Sequence, residues 1–212
     1  MTSNLKLRSA ALVALTAALF ALIGPSRADE TGERKFKVDD STFKCIQEMT
    51  AVRHFFVDNL DPAKLDATVA VATAGKGEYP EGSVLQLIPN EAMIKQQKGF
   101  SPQTHDWEFF YVDADANGSK IFARGFKDVN NRLGLNCFEC HKDAHEEFDL
   151  VCEEDHGCAA LPITRAMFRA LQHSDPRCHP GPLSPEDAKA LQDLGPAVEE
   201  LEKSVADRKK KL

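Results

Sequence analysis

The most informative stretch of the chain for its architecture is Trp107-Glu108-Phe109-Phe110-Tyr111-Val112, followed by Asp115-Ala116-Asn117-Gly118 and Lys120-Ile121-Phe122-Ala123-Arg124. Aromatic and β-branched residues dominate the two outer segments, which is typical of β-strands. Asn-Gly between two apolar, alternating segments is the strongest short signal of a β-hairpin. The stretch therefore predicts two antiparallel strands joined by a tight turn.

Two earlier segments extend this hairpin into a sheet. Asp66-Ala67-Thr68-Val69-Ala70-Val71-Ala72-Thr73 is rich in β-branched residues and ends at Gly75. Ser83-Val84-Leu85-Gln86-Leu87-Ile88 follows the turn residues Pro80-Glu81-Gly82. Together these segments predict an antiparallel sheet of four to five strands over roughly residues 66–125.

Helical periodicity precedes and follows the predicted sheet. Ser41 or Thr42 can cap an N-terminal helix over about residues 43–59, because six apolar side chains recur there at steps of three and four. A short helix is predicted over residues 166–173, and Ser184-Pro185 opens a last helix with a capping hydroxyl and a proline at its first position. The fold class is therefore α+β. The six apolar residues of the first helix are Phe43, Ile46, Met49, Val52, Phe56 and Leu60.

The last predicted helix carries apolar residues at steps of three and four. This spacing suits packing on the body of the protein or on a partner subunit. Gly195-Pro196 interrupts the pattern, which favours packing on the body. The apolar residues are Leu191, Leu194, Val198, Leu201 and Val205.

The N-terminus has the three parts of a secretory signal peptide. Lys6 and Arg8 give a basic start, an apolar run of about 14 residues follows, and Ser26-Arg27-Ala28 offers small residues for cleavage. The run is short for a bilayer span, so a retained anchor is the less favoured alternative. We expect residues 1–28 to be removed and the mature chain to be periplasmic, with no membrane contact after cleavage.

The rest of the chain divides into three parts. Residues 29–40 are polar and mixed in charge, which indicates a flexible lead-in. Residues 41–160 contain the predicted first helix, the predicted sheet and a Cys-x-x-Cys-His motif, and so form the predicted functional domain. Residues 161–212 form a helical C-terminal extension whose role the sequence leaves open.

Acidic residues outnumber basic ones. The chain has 33 acidic and 26 basic residues and a formal net charge of −7, which becomes −10 when Lys6, Arg8 and Arg27 leave with the signal peptide. Such a surface repels nucleic acid and favours a basic protein partner or none. The acidic stretch between residues 146 and 155 can dock a basic redox partner, although a solvated acidic surface is the simpler interpretation.

The chain has six cysteines, and its expected export bears on which of them form disulfides. Two of them belong to Cys137-Phe138-Glu139-Cys140-His141. The other four are an even number, which in an oxidising compartment indicates two disulfides with three possible connectivities. Cys152 and Cys158 close a short loop, so we favour that bond, which leaves Cys45 to pair with Cys178.

The motif Cys137-Phe138-Glu139-Cys140-His141 is typical of covalent haem attachment. Two thiols at this spacing can each add across one haem vinyl group, and the following histidine then supplies an imidazole nitrogen to the iron. We therefore predict one haem c, attached through Cys137 and Cys140, with His141 as an iron ligand. A zinc site would need a second ordered pair of ligands, and a thioredoxin-like pair would need a βαβ unit. The sequence offers neither.

The second axial position of the iron separates the possible functions. A dedicated electron carrier keeps a methionine or histidine there, whereas a ligand-binding or catalytic haem leaves it open. No candidate stands in a context that singles it out, and His145 lies four residues after His141 on the same helical face, too close to reach the opposite side. The candidates are Met49, Met93, Met167, His54, His105, His145, His156, His173 and His179.

Three elements follow one another in a characteristic order. They are Tyr79-Pro80-Glu81-Gly82-Ser83-Val84, then Trp107-Glu108-Phe109-Phe110, then Cys137-Phe138-Glu139-Cys140-His141-Lys142 with Asp149-Leu150-Val151 after it. In this order, over roughly residues 41–160, the chain resembles the cytochrome P-460 and cytochrome c′-beta family. The resemblance implies a β-sheet subunit, often a homodimer, and a five-coordinate haem with His141 proximal and a pocket on the opposite side.

The resemblance also implies where a functional lysine would stand. Members with P-460 chemistry oxidise hydroxylamine and carry a lysine cross-linked to the macrocycle, whereas c′-beta members resemble gas-binding cytochromes with apolar pockets. The matching position here is Leu87, no lysine occurs from 77 to 94, and Lys95 is the nearest downstream. This departure argues against the cross-link. Thirteen phenylalanines are compatible with an apolar pocket and equally with an ordinary core.

These observations predict a periplasmic monohaem cytochrome that binds a small ligand such as nitric oxide at an open iron and exchanges electrons with another protein. Two alternatives remain: a haem enzyme that oxidises hydroxylamine or a related small nitrogen compound, and an electron carrier with six-coordinate iron. The missing lysine weakens the first alternative, and the lack of an obvious methionine loop weakens the second. Whether the protein is an enzyme stays open.

Overall fold

The computed structural model describes residues 33–209, with side chains described as far as residue 203. The predicted signal peptide, residues 1–28, and the start of the predicted lead-in lie outside the described residues. The described residues belong to one compact unit. Among them, no helix combines the length and the apolar character that a membrane crossing needs.

A six-stranded antiparallel sheet forms the centre of the protein. Each strand pairs with the next one along the chain, so the sheet is a meander in the order β1 to β6. The α+β class is confirmed, and the predicted number of four to five strands is wrong. The strands are β1 (Thr50–Val52), β2 (Phe55–Asn59), β3 (Ser83–Ile88), β4 (Glu91–Lys95), β5 (Trp107–Asp115) and β6 (Gly118–Gly125).

The hairpin predicted from the Asn-Gly pair is confirmed as β5 and β6. Asp115 pairs with Gly118 at its closed end, and the Asp115 carboxylate accepts a hydrogen bond of 2.7 Å from the Asn117 backbone N–H. Gly118 has a φ of 134°, which a residue with a Cβ rarely adopts. The turn chemistry and the alternation of the flanking segments therefore point to the same structure.

The predicted N-terminal helix over residues 43–59 is wrong. The chain forms a short 3₁₀ helix, Ile46–Glu48, and then the strands β1 and β2. Its apolar residues do not share one face: Val52 packs in one core cluster, whereas Phe43 and Met49 pack in a second one across the sheet. The recurrence at three and four residues therefore comes from side chains divided between two cores.

The segment predicted as a strand over residues 66–73 is a helix, α1 (Leu65–Ala74). Four of its ten residues are alanine, which has the highest helix propensity, and its buried residues Thr68 and Ala72 are four apart on one face. Gly75 ends the helix with a φ of 70°, and its N–H bonds to the carbonyl groups of the last turn. Glycine therefore marks a helix end here rather than a strand end.

The two faces of the sheet bury different clusters, because neighbouring strand residues point to opposite faces. One face packs against α1 and the segment that follows β6, and the other packs against the chain before β1. Part of the predicted flexible lead-in is packed: Val38 is buried there, and Arg34 forms an ion pair with Glu108. The first cluster includes Val52, Phe55, Val57, Leu85, Met93, Trp107, Phe109, Tyr111, Phe126 and Phe138; the second includes Val38, Phe43, Val84, Ala92, Ile94, Phe110 and Val112.

Three further helices complete the described chain: α2 (Cys137–His141), α3 (Arg165–His173) and α4 (Pro185–Lys209). The last two confirm the predicted C-terminal helices and pack on each other through Met167, Ala170 and Ala190. The side-chain amide of Gln172 joins α3 to the sheet by donating 2.8 Å hydrogen bonds to the carbonyl oxygens of His54 and Leu87. The extension is thus docked on the body, as the pattern of the last helix favours.

Both predicted disulfides are present. Cys45–Cys178 joins the chain before β1 to the loop between α3 and α4. Cys152–Cys158 closes the short loop after the Cys-x-x-Cys-His motif. The remaining two cysteines are those of the motif.

Candidate functional site

The Cys-x-x-Cys-His motif occupies the short helix α2 because Asn136 caps it. Asn136 Oδ1 accepts from the Glu139 N–H at 3.0 Å, and Asn136 Nδ2 donates to the backbone carbonyl oxygens of Phe126 and Lys127. Asparagine is among the best N-cap residues, since its side chain satisfies a backbone donor of the first turn. The cap starts the helix at Cys137, so both cysteines and His141 belong to the same short helix.

His141 is held in one tautomer by a backbone carbonyl. Its Nδ1 lies 2.7 Å from the carbonyl oxygen of Leu150, and a carbonyl can only accept, so Nδ1 carries the proton. Burial lowers the pKa of His141 below its ordinary value, and the hydrogen bond to Leu150 opposes this shift only in part. Phe109 packs against the ring, with centroids 5.2 Å apart. Nε2 therefore keeps a lone pair, which is the arrangement of metal-binding histidines.

A cavity of about 920 Å³ is lined by the motif. Its other walls are β2 to β5 and the chain between Val151 and Phe168. Its size is typical of sites that bury an organic ligand. Apolar side chains in the lining include Phe55, Leu85, Leu87, Met93, Phe109 and Val151, and polar ones include His54, Gln86, Glu91, His145, Glu153 and Arg165.

The residues of the cavity fit a covalently attached haem. Two thiols at the attachment spacing and a histidine with an available Nε2 open on one mainly apolar cavity. Burial, with the nearby Glu91 carboxylate, raises the pKa of Cys137 to about 12, opposite to the depressed pKa of a reactive redox thiol. Within residues 33–209, no three His, Cys, Asp or Glu side chains gather as a metal-binding group, which the zinc alternative would need.

Three of the residues predicted as candidates for the second axial position of the iron line the cavity: His54, Met93 and His145. His54 lies in the turn between β1 and β2, and its buried Nδ1 has no hydrogen-bond partner, although Glu153 Oε2 is 3.4 Å away. Burial lowers the pKa of His54, opposed by Glu153. Met93 is buried in the first core cluster, and His145 stacks on Phe148. Of the three, His54 is therefore the candidate with a buried ring nitrogen that lacks a hydrogen bond.

The other six candidates do not line the cavity. His156 stacks on Phe148 and its Nδ1 bonds to the carbonyl oxygen of Val151 at 2.7 Å, so it organises the disulfide loop. His173 bonds to Asp187 at 2.8 Å in the contact between α3 and α4. The remaining four are Met49, Met167, His105 and His179.

The structure assigns different places to Leu87 and Lys95. Leu87 lines the cavity, and no lysine is found among the described residues that line it. Lys95 is buried away from the lining, with Nζ 2.7 Å from both carboxylate oxygens of Asp149 and 5.1 Å from the Trp107 ring. Burial raises the pKa of Asp149, opposed by the Lys95 ammonium. Lys95 is therefore engaged with a carboxylate and not with the cavity.

The acidic stretch after the motif is only partly a free acidic surface. Asp149 is buried and paired with Lys95, Glu153 pairs with Arg53, and Glu154 pairs with Arg165 at 3.0 Å. Including Asp149 in a docking surface is therefore wrong. The exposed acidic residues of the stretch are Glu146, Glu147, Glu154 and Asp155.

Two features of the site carry no clear sequence signal. Leu150 contributes only a backbone carbonyl, and any residue type has one. Glu91 lines the cavity near Cys137, and burial raises its pKa to about 7. A glutamate at the start of a strand reads as a surface residue, so only the three-dimensional arrangement distinguishes it.

Comparison of the chain with protein-family models, with curated proteins and with solved structures finds no match.

Proposed function

We propose that this protein is an exported c-type cytochrome with one haem, attached through Cys137 and Cys140 and ligated by His141. The observation that carries the proposal is the hydrogen bond from His141 Nδ1 to Leu150, which leaves Nε2 available beside the two thiols in one apolar cavity. A bound haem would supply an iron that changes oxidation state and accepts a small axial ligand. The protein supplies the proximal nitrogen, the two thioether bonds and the walls.

The protein's role, in this proposal, is to bind a small ligand such as nitric oxide and to exchange electrons with a redox partner. Apolar walls formed by Phe55, Leu85 and Leu87 suit a small uncharged ligand, because they offer it no competing hydrogen bonds. An antiparallel sheet that precedes the motif supports a relation to the cytochrome P-460 and c′-beta type. Leucine at position 87 favours the gas-binding branch over hydroxylamine oxidation.

A second candidate function is an electron carrier with six-coordinate iron. The observation that favours it is His54, whose buried Nδ1 lacks a hydrogen-bond partner and whose side chain lines the same cavity as His141. A histidine in the second axial position would keep the coordination similar in both oxidation states.

The first test is an absorption spectrum of protein matured with the cytochrome c assembly machinery. Covalent haem is checked on the denatured protein, where Cys137→Ala/Cys140→Ala is expected to lose it. Cys152→Ala/Cys158→Ala, an equal change in the same cavity lining, is expected to keep it. Absence of covalent haem from the wild type would overturn the proposal.

The same samples separate the two candidate functions. Broad reduced bands that shift on adding carbon monoxide or nitric oxide are expected for an open iron. Sharp reduced bands unchanged by gas in the wild type, but gas-sensitive in His54→Ala, would instead establish the electron-carrier alternative.

A further inference from the structure

Two consecutive residues after the motif adopt an unusual backbone. Asp149 has a φ of 49° and Leu150 a φ of 61°, both in the left-handed region. Side chains with a Cβ are uncommon there, and leucine more so than aspartate. Such a conformation persists only where the surroundings fix it, and it often lies at a functional site.

The surroundings that fix it are a buried network around Asp149. Lys95 Nζ lies 2.7 Å from both carboxylate oxygens, and the side chains of both residues are about 5% exposed or less. The Tyr79 N–H donates to Asp149 Oδ2 at 2.8 Å, and Trp107 Nε1 donates to the Asp149 carbonyl at 2.7 Å. Side chain and carbonyl of Asp149 are thus both held, which orients the peptide that follows.

The next carbonyl along the chain is the one that binds His141. Because the network fixes Asp149, it also fixes the direction in which the Leu150 carbonyl points, 2.7 Å from His141 Nδ1. No other hydrogen bond of the His141 ring is seen among the described residues. The direction of this one carbonyl therefore determines both the tautomer and the orientation of the imidazole.

We propose that the buried pair of Lys95 and Asp149 positions the proximal imidazole and tunes the haem iron through the Leu150 carbonyl. The inference rests on the proposed haem function. A strong hydrogen bond from Nδ1 raises the basicity of the ligating nitrogen, which stabilises the oxidised iron. Lys95 and Asp149 are positioning residues, since neither lines the cavity.

A purely structural role is the competing explanation. A buried ion pair contributes little net stability compared with apolar residues of similar size, but removing one partner destabilises the fold strongly. Loss of stability in a variant is therefore uninformative. The distinguishing readout is the iron itself: its midpoint potential and the iron–histidine stretching frequency.

The test uses Asp149→Asn in the haem-loaded protein. Asparagine tolerates the left-handed conformation and still accepts from Tyr79, but it no longer pairs with the Lys95 ammonium. The matched control is Asp175→Asn, which neutralises another fully buried carboxylate, bound by Arg177 and the Ile46 N–H. Trp107→Phe is the second variant, since it removes the donor to the Asp149 carbonyl and keeps a smaller aromatic ring in the core.

We expect Asp149→Asn and Trp107→Phe to weaken the hydrogen bond of His141. The ratio of oxidised to reduced iron at a fixed potential should fall about tenfold, a rise of about 59 mV in midpoint potential for one electron. The iron–histidine stretch should move to lower frequency, and Asp175→Asn should change neither. An unchanged potential and an unchanged stretch in both variants would overturn the inference.

Failure of the proposed function is recognised separately. If the wild type carries no covalent haem, that proposal fails, and ¹⁵N NMR of the same protein then tests the positioning role directly. A wild-type His141 protonated at Nδ1 that becomes a mixture of tautomers in Asp149→Asn supports the role of the network. The same tautomer in both proteins refutes it.

Discussion

Two histidines that line one cavity differ in the hydrogen bonding of their Nδ1 atoms. His141 donates from Nδ1 to the Leu150 carbonyl and so presents Nε2, whereas His54 has a buried Nδ1 that makes no hydrogen bond. A buried polar atom without a partner is rare in proteins and needs an explanation. For His54 the nearby group is Glu153, whose Oε2 lies 3.4 Å from Nδ1 and can pair with the ring when it is protonated. The assignment of roles at this site thus depends on single atoms.

Glu108 is the buried carboxylate whose loss we expect to be most costly. Its side chain is inaccessible and lies between Arg34 and Arg124, with Gln96 Nε2 donating at 2.9 Å. We expect Glu108→Gln to lower the free energy of unfolding by about 2 kcal/mol at pH 7, because it removes the charge of a buried acceptor that is hydrogen-bonded by two partly exposed guanidinium groups. The control is Glu81→Gln, which removes an exposed partner of Lys35 and should cost about 1 kcal/mol or less. Urea titration measures both.

The same substitution predicts a pH dependence. Burial raises the pKa of Glu108, but the hydrogen bonds and charges of Arg124 and Arg34 outweigh it, so the pKa is below its ordinary value of 4.5. A depressed folded pKa stabilises the fold above the unfolded value, and this contribution disappears as the pH falls through the folded pKa. The difference in stability between wild type and Glu108→Gln should therefore shrink below pH 4.5. A difference that stays constant down to pH 3 would contradict this assignment.

At the scale of single elements, local chemistry made some predictions correct and long-range packing made others wrong. The β5–β6 hairpin follows from Asn117-Gly118, and the last helix follows from Ser184-Pro185 at its start, because these signals act within a few residues. The chain over 43–59 has no such signal at its turn, where Arg53 adopts a φ of 54° without glycine. Its apolar residues serve two cores on opposite faces, which no single-period pattern describes.

The two disulfides should differ in what they contribute to stability. Cys45–Cys178 closes a loop with a sequence separation of 133, and Cys152–Cys158 one with a separation of 6. In the chain-entropy model the longer loop stabilises the folded state by about 5 kcal/mol and the shorter by about 2 kcal/mol. We expect the paired alanine variants to lose free energy of unfolding in that order. Equal losses in chemical denaturation would mean that native contacts, rather than loop closure, dominate.

At the scale of the whole molecule, only part of the candidate site consists of residues that are adjacent in the sequence. The motif Cys137–His141 is recognisable because the proposed covalent attachment of haem requires a fixed local spacing. The network that orients it joins Tyr79, Lys95, Trp107 and Asp149, which are brought together by the β3–β4–β5 meander and the loop after α2. Contacts between residues that are far apart in the sequence leave no local signal, and an aspartate such as Asp149 is expected on the surface.

The net negative charge of the protein should affect the rate at which the haem-loaded protein exchanges electrons with charged reagents. Glu146 and Glu147 are exposed on a 3₁₀ helix (Glu146–Phe148), five residues after His141, in a chain with a net charge of −7. Reduced protein should react faster with a cationic oxidant such as hexaammineruthenium than Glu146→Lys/Glu147→Lys does, by about tenfold at low ionic strength. Salt screens charges beyond about 10 Å at 0.1 M, so the two rates should converge as salt is added.

The control variant Glu199→Lys/Glu200→Lys makes the same change of charge on exposed positions of α4 and should slow the reaction less. Equal slowing by both pairs in stopped-flow measurements would show that net charge alone acts, and that the region beside the motif is not a docking surface.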